Sequence, residues 1–143
     1  MLRYETLPVT PFQQNCSLVW CDRTHEAALI DPGGEIPRLL AAVKRHGLTL
    51  KMLLQTHAHI DHAGATGQMA RELALPVVGP HPGDQFWIDG LAQQSVMFGF
   101  PRAEPFTPTR WLADGDTVQL GEETLTVRHC PGHTPGHVVF HSA

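Results

Sequence analysis

The sequence predicts an α/β fold in a single domain, residues 1–143. Short apolar segments of strand length alternate with segments in which apolar residues recur at helical spacing. Turns that contain Gly and Pro separate these segments. The sequence has neither an internal repeat nor a low-complexity linker, and a chain of this length can bury a core of its own.

The alternation is clearest in the N-terminal half. Residues 16–21 and 27–31 are apolar segments of strand length, separated by a polar turn. Apolar residues at i, i+3, i+4 and i+7 then predict a helix that begins at Ile36 and ends before Gly47. A strand, a helix and a strand are predicted to follow, over 51–56, 64–73 and 76–79. The inward face of this second helix is assigned to Met69, Ala70 and Leu73.

The C-terminal half is less regular. A helix interrupted near Gly90 is predicted within residues 80–110, and a β-hairpin is predicted around the "GEE" turn at 121–123. A last strand begins at His137. One group of large apolar residues is assigned to core packing rather than to a cover over a binding site: Phe86, Trp87, Met97, Phe98 and Phe100.

The composition indicates which classes of partner and which cellular compartment to expect. A net charge of -4 and a pI near 6.2 lack the basic footprint of a nucleic-acid partner. No apolar run approaches the roughly 18 residues of a membrane span, and we see no signal peptide. We therefore expect a cytoplasmic protein without a nucleic-acid or membrane partner, whose oligomeric state is open. Its cysteines fit neither a zinc ribbon nor a CxxC pair, and we expect buried, reduced thiols at Cys16, Cys21 and Cys130.

Residues 53–64, "LLQTHAHIDHAG", place four potential metal ligands within six positions: His57, His59, Asp61 and His62. Side chains at i and i+2 of an extended segment lie on the same side, so a strand before the motif would present its first two histidines together. Imidazole and carboxylate ligands suit zinc, iron and similar metals. The alternative is a polar loop with solvated histidines, in which Asp61 caps the following helix.

His133 is the best additional ligand. It lies in "HCPGHTPGH", a loop rich in Pro and Gly between two predicted strands. With His57 and His59 it would form a three-imidazole site with an open fourth position, the catalytic type of zinc site. Asp61 and His62 would begin a neighbouring second site.

Together, "LIDPGG", "THAHIDHAG" and "HCPGHTPGH" resemble the metallo-β-lactamase superfamily, and most closely its small glyoxalase II-type (hydroxyacylglutathione hydrolase-like) branch. The resemblance implies an αββα sandwich fold. It also implies a first metal on His57, His59 and His133. A second metal would be held by Asp61 and His62.

The resemblance implies supporting positions as well. Asp31 and His137 match residues that lie behind the ligands, although a turn-capping role for Asp31 is an equal alternative. The family pattern also has a bridging Asp after "HTPGH" and a final His, which do not occur in the sequence. We therefore expect that the chain represents roughly the N-terminal two thirds of a family member. Alone, these 143 residues should bind at most one metal tightly and have little hydrolase activity, whereas the full-length protein would be an active enzyme.

The function implied by the resemblance is metal-dependent hydrolysis of small thioesters. An S-acylglutathione would yield glutathione and a carboxylic acid through a metal-bound hydroxide, with Asp61 as a ligand that also orients the nucleophile. Zinc is the expected cofactor, as one or two ions, with iron and manganese as alternatives. The alternative functions are lactone or β-lactam hydrolysis, persulfide dioxygenation and a non-catalytic metal-binding fragment.

Overall fold

The computed structural model describes residues 1–10, 14–101 and 103–142. Its β-strands form two sheets. In chain order the strands are β1 Leu2–Val9, β2 Gln14–Cys21, β3 Glu26–Ile30, β4 Thr49–Leu54, β5 Val77–Val78, β6 Thr117–Leu120, β7 Glu123–His129 and β8 Val138–Ser142.

The helices lie between the strands. They are α1 Ile36–Arg45, α2 Ile60–Ala63, α3 Thr66–Leu73, α4 Gln85–Asp89 and α5 Leu91–Phe98. A 3-10 turn, Pro82–Asp84, precedes α4. Among the described residues, no helix has the length and apolar character that crossing a bilayer requires.

The first sheet places two strand ends side by side. Its order is β1-β2-β3-β4-β5. The pairs β1–β2 and β2–β3 are antiparallel, and the pairs β3–β4 and β4–β5 are parallel. Parallel neighbours need crossover connections, and α1 and the α2–α3 pair supply them. Ile30 pairs with Leu54 at the ends of β3 and β4. The next residues, Asp31 and Gln55, therefore meet at one edge of the sheet.

Both faces of the first sheet are covered. Successive residues of a strand point to opposite faces. One face packs against the helices through a buried cluster that includes Leu18, Leu29, Leu39, Leu53 and Met69. The other packs against the second sheet through a cluster that includes Val19, Ala28, Leu54, Val118 and Val127. The layers are thus helix, sheet and sheet, and burial on both faces explains the continuous apolar runs of β2 to β4.

The second sheet is antiparallel and has the order β6-β7-β8. The predicted hairpin is confirmed, with Leu120 paired to Glu123 across a two-residue turn. Gly121 has φ 58° there, a left-handed conformation that suits glycine. At the far end of β7, His129 pairs with Val138, so this pair closes the loop that carries His133.

Most predicted elements are confirmed, including the helical break at Gly90. The strand β1 was not predicted. The second helix differs from its prediction, since α3 begins at Thr66 and the separate turn α2 lies before it. The inward assignment of Leu73 is wrong: it is the last residue of α3, beyond the buried Met69, and it is 38% exposed.

The assignment of large apolar residues to the core is wrong for three of them. Phe86, Met97 and Phe98 are each more than half exposed, because they lie on the outer sides of the short helices α4 and α5. Trp87 and Phe100 do pack, against a small buried cluster around Ile88 and Leu91 that is separate from the main core.

Candidate metal centre

Two loops meet where the sheets pack against each other. The first, residues 55–62, follows β4 and includes most of the short helix α2. The second, residues 130–137, joins β7 to β8. The N–H of Val138 donates to the Thr56 carbonyl oxygen at 2.8 Å, which places the end of the second loop beside the start of the first.

The three predicted imidazole ligands come together there. One ring nitrogen from each of His57, His59 and His133 lies within 4.8 Å of the others. The closest two, His59 Nδ1 and His133 Nε2, are 3.2 Å apart. Nitrogen ligands at about 2.0–2.1 Å from a tetrahedral zinc ion lie roughly 3.3–3.4 Å from each other. The spacing therefore suits two ligands of one metal ion.

His57 is held in the tautomer that a metal requires. The Thr56 hydroxyl donates its hydrogen to Asp31, so its oxygen must accept the Nδ1–H of His57, at 2.9 Å. The lone pair of His57 then lies on Nε2. This atom is buried and has no hydrogen-bond partner among the described residues. An unpaired buried acceptor beside two other imidazoles is the arrangement that a metal ion would satisfy.

The pKa values of the histidines agree with this. Burial, reinforced by the neighbouring histidines, lowers the pKa of His57 to about 2. Burial and the nearby His133 also lower the pKa of His59. Both rings are therefore neutral near pH 7, which is the form that binds metals. His59 also contacts the Trp87 ring edge to face, with centroids 4.9 Å apart.

His62 lies between two carboxylates. Its Nδ1 is 2.9 Å from Asp31 Oδ2 and its Nε2 is 3.5 Å from Asp61 Oδ2. Burial lowers the pKa of His62, but the hydrogen bond to Asp31 and the charges of both carboxylates outweigh it, and the net pKa is raised. Since an ionised carboxylate only accepts, Nδ1 carries a proton and Nε2 is the nitrogen that faces Asp61.

The second predicted metal pair is only partly reproduced as a cluster. His62 lies within 4.8 Å of Asp31 and His57, counted by ligand atoms. Among the described residues, Asp61 belongs to neither this group nor the triad of His57, His59 and His133. The role of Asp61 and His62 as ligands of a second metal stays a prediction.

Asp31 is the hub beneath the first loop and is 4% exposed. Besides Thr56 Oγ1 and His62, it accepts the Thr56 N–H at 2.7 Å and contacts Gln55 Nε2 at 3.2 Å. The other predicted supporting residue, His137, has its ring centroid 4.7 Å from that of His57. Burial lowers the pKa of His137. Both residues thus lie close to the triad, and their supporting role stays a prediction.

Sequence reasoning missed two polar residues that shape the site. Gln55 is buried and donates to the carbonyl oxygens of His57 and His62 at 2.8 and 2.9 Å, which curls the first loop. Asp84 is buried and contacts both loops. A usable signal existed for Asp84: it follows the predicted strand 76–79, and loops at the carboxyl ends of parallel strands gather at one edge.

The fold and the site together define a class. A helix-covered two-sheet sandwich with imidazoles converging at the strand ends is a metal-binding domain. A family profile described as "Metallo-beta-lactamase superfamily" matches residues 9–143. The chain belongs to this superfamily, and the predicted family and fold class are confirmed.

Individual relatives give the same result. The chain is 42% identical over 140 residues to hydroxyacylglutathione hydrolase GloC from Haemophilus influenzae. The alignment covers 97% of this chain and 66% of that protein. Among solved structures, BLEG-1 B3 metallo-beta-lactamase superposes with TM-score 0.84 and 31% identity, covering 98% of this chain and 67% of the other. TTHA1623 in a di-iron-bound form superposes with TM-score 0.83 and 36% identity, covering 96% of this chain and 66% of the other. The chain thus spans about two thirds of the length of each.

Proposed function

We propose that the chain carries the first metal site of a metal-dependent hydrolase whose substrates are small thioesters of the S-acylglutathione class. The observation that carries the proposal is the convergence of His57, His59 and His133, with a buried, unpaired nitrogen on His57. The name of the Haemophilus influenzae relative supports the substrate class. When bound, a divalent metal would polarise the acyl carbonyl and lower the pKa of a water molecule.

Several residues of the chain would act on that ion. The triad would hold it. The hydrogen bond from Thr56 to Asp31 makes the Thr56 oxygen accept the Nδ1–H of His57, which leaves the His57 lone pair on Nε2. Asp61 and His62 would begin a second metal site, and Asp61 would also orient the nucleophile. The Nδ1–H of His62 is bonded to Asp31, so Nε2 is its available ligand atom.

Zinc is our proposal for the metal, with iron and manganese as alternatives. Imidazole ligands accept all three, so the ligand set alone does not select among them. The di-iron form of TTHA1623 keeps iron a serious alternative. Elemental analysis of the protein purified without added metal would identify the ion, and metal reconstitution would show which one restores activity.

The test is hydrolysis of S-lactoylglutathione by the metal-reconstituted full-length protein, followed as thiol release. We expect turnover that requires metal and that falls by more than roughly 100-fold in His57→Gln, since a ligand of the nucleophile-generating ion is lost. His141→Gln, an exposed histidine on β8, is the control and should retain wild-type activity. Metal-loaded protein that leaves the thioester intact would overturn the proposal.

A second candidate is β-lactam hydrolysis. Its support is the close superposition on BLEG-1 B3 metallo-beta-lactamase. Both reactions use the same metal chemistry at an acyl carbonyl, so the histidine triad does not distinguish them. Parallel assays with a chromogenic cephalosporin and S-lactoylglutathione would. We expect the thioester to be the better substrate by kcat/KM.

A further inference from the structure

We propose that Asp84 is a positioning residue that sets the geometry of the histidine triad by joining its two loops. The proposal rests on the metal site proposed above and extends it to a residue outside the histidine motifs. Asp84 ends the 3-10 turn Pro82–Asp84, and it is 0% exposed.

The contacts of this carboxylate reach both loops. Oδ2 accepts the N–H of Ala58, which lies between His57 and His59, at 3.0 Å. The same oxygen accepts the hydroxyl of Thr134 at 2.8 Å, next to His133. Oδ1 accepts the N–H of Gly136 at 2.7 Å. One side chain thus fixes the backbone on both sides of the triad.

The backbone is shaped to permit this contact. A Cβ atom on Gly136 would lie 2.5 Å from both Asp84 N and His81 O, and one on Gly83 would lie 3.0 Å from the Pro135 carbonyl group. The His81 N–H also donates to the Gly136 carbonyl oxygen at 3.2 Å. Two glycines therefore let the turn lie directly against the second loop, which brings the carboxylate within reach of it.

The charge of Asp84 has a second consequence. Burying a carboxylate is costly unless hydrogen bonds stabilise it. Three donors do so here, and among the described residues Asp84 forms no ion pair. A buried negative charge behind an imidazole cluster favours a cation in front of it.

A matched set of variants separates positioning from general stability. Asp84→Asn replaces one acceptor oxygen by a donor, so the contact with either the Gly136 N–H or the Ala58 N–H is lost. Thr134→Val removes only the hydroxyl, and Thr134→Ser keeps it. Ser95→Ala is the control: this buried hydroxyl donates to Leu91 O and accepts the Ala103 N–H, and neither partner belongs to the two loops.

The experiment is titration of metal-free protein with Co²⁺, read out as affinity and as the visible spectrum of the bound ion. Loss of a group that orients metal ligands typically weakens binding 10–100-fold, so we expect about that loss in Asp84→Asn and a smaller one in Thr134→Val. Both should change the shape of the spectrum, which reports ligand geometry. Thr134→Ser and Ser95→Ala should match the wild type within about twofold.

Each outcome decides something. Wild-type affinity and spectrum in Asp84→Asn would overturn the inference and leave the proposed function standing, as would an equal loss in Ser95→Ala. A wild-type protein that binds no cobalt would remove the proposed metal site and this inference with it. Should Asp84→Asn not fold, the comparison of Thr134→Val with Thr134→Ser decides the question in its place.

Discussion

The two loops that form the triad are held in different ways. Loop 55–62 continues directly from β4 and is held at the edge of its own sheet, by Asp31 after β3 and by the internal contacts of Gln55, besides the contact of Ala58 with Asp84. Loop 130–137 belongs to the other sheet, and His133 at its tip is exposed. Its long-range anchors are Thr56 O and Asp84. The first loop is therefore held mainly at the edge of its own sheet, whereas the position of the second depends on contacts outside its sheet.

The largest destabilisation of the first loop is expected from a steric clash at Gly33. A Cβ atom on Gly33 would lie 1.8 Å from the carbonyl oxygen of Asp61, which is backbone and cannot rotate away. We expect Gly33→Ala to lower the free energy of unfolding by at least about 3 kcal/mol, measured by urea denaturation.

The neighbouring glycine is the control for that experiment. A Cβ atom on Gly34 would lie 3.3 Å from Thr10 Cγ2, the end of a side chain. Gly34→Ala should therefore change stability by less than about 1 kcal/mol. Equal stability of the two variants would contradict the described packing of Gly33 against the first loop.

Removing the charge of Asp31 should also weaken the hold on the first loop. Asp31→Asn keeps the size of the side chain but loses an acceptor within the network of Thr56, Gln55 and His62. Hydrogen bonds to buried charges contribute about 1.5–3 kcal/mol, and we expect a loss of that size in urea denaturation. Asp114→Asn is the matched control: this exposed carboxylate accepts one N–H, from His129, and its loss should cost less than about 1 kcal/mol.

The pH dependence of the metal-free protein tests the burial of His57. Its pKa is about 2 in the folded chain, against about 6.5 when unfolded, so between these values the unfolded state binds more protons. Stability should then fall as the pH falls below about 6.5, by at most about 1.4 kcal/mol per pH unit for this group. The raised pKa of His62 acts in the opposite direction.

Thermal or urea denaturation at several pH values between neutral and mildly acidic would measure this slope. His57→Gln removes the titrating group and should flatten it. A slope that is unchanged in His57→Gln would show that the acid sensitivity arises at other residues.

The comparison of the loops also explains what the sequence could predict. The first loop could be placed because its ligands are contiguous and follow a recognisable strand, so local geometry aligns His57 with His59. His133 could be proposed from its Pro- and Gly-rich loop and from the family resemblance. The distance of His133 from the first loop could not be predicted, because it depends on how the two sheets pack.

The misses share a physical cause. The position of Asp84 after the predicted strand 76–79 indicates the right edge of the sheet. Its burial between two loops, however, depends on tertiary contacts that "GPHPGD" does not show. Conversely, Phe86 and Met97 look like core residues, yet the short helices that carry them turn these side chains outward. Strand β1 escaped because most of its residues are exposed or only half buried, which leaves little apolar pattern.

If the two loops build one metal site, tight zinc binding should require a ligand from each of them. Competition with a zinc chelator tests this most directly, on the wild type, His133→Gln and Cys130→Ser. We expect His133→Gln to weaken zinc binding by more than about 100-fold, beyond the 10–100-fold typical of supporting residues, because a ligand itself is lost. The expected burial of Cys130 is wrong: this neighbour of the site is exposed, and Cys130→Ser should bind zinc as the wild type does. Zinc binding of wild-type strength in His133→Gln would show that the second loop supplies no ligand.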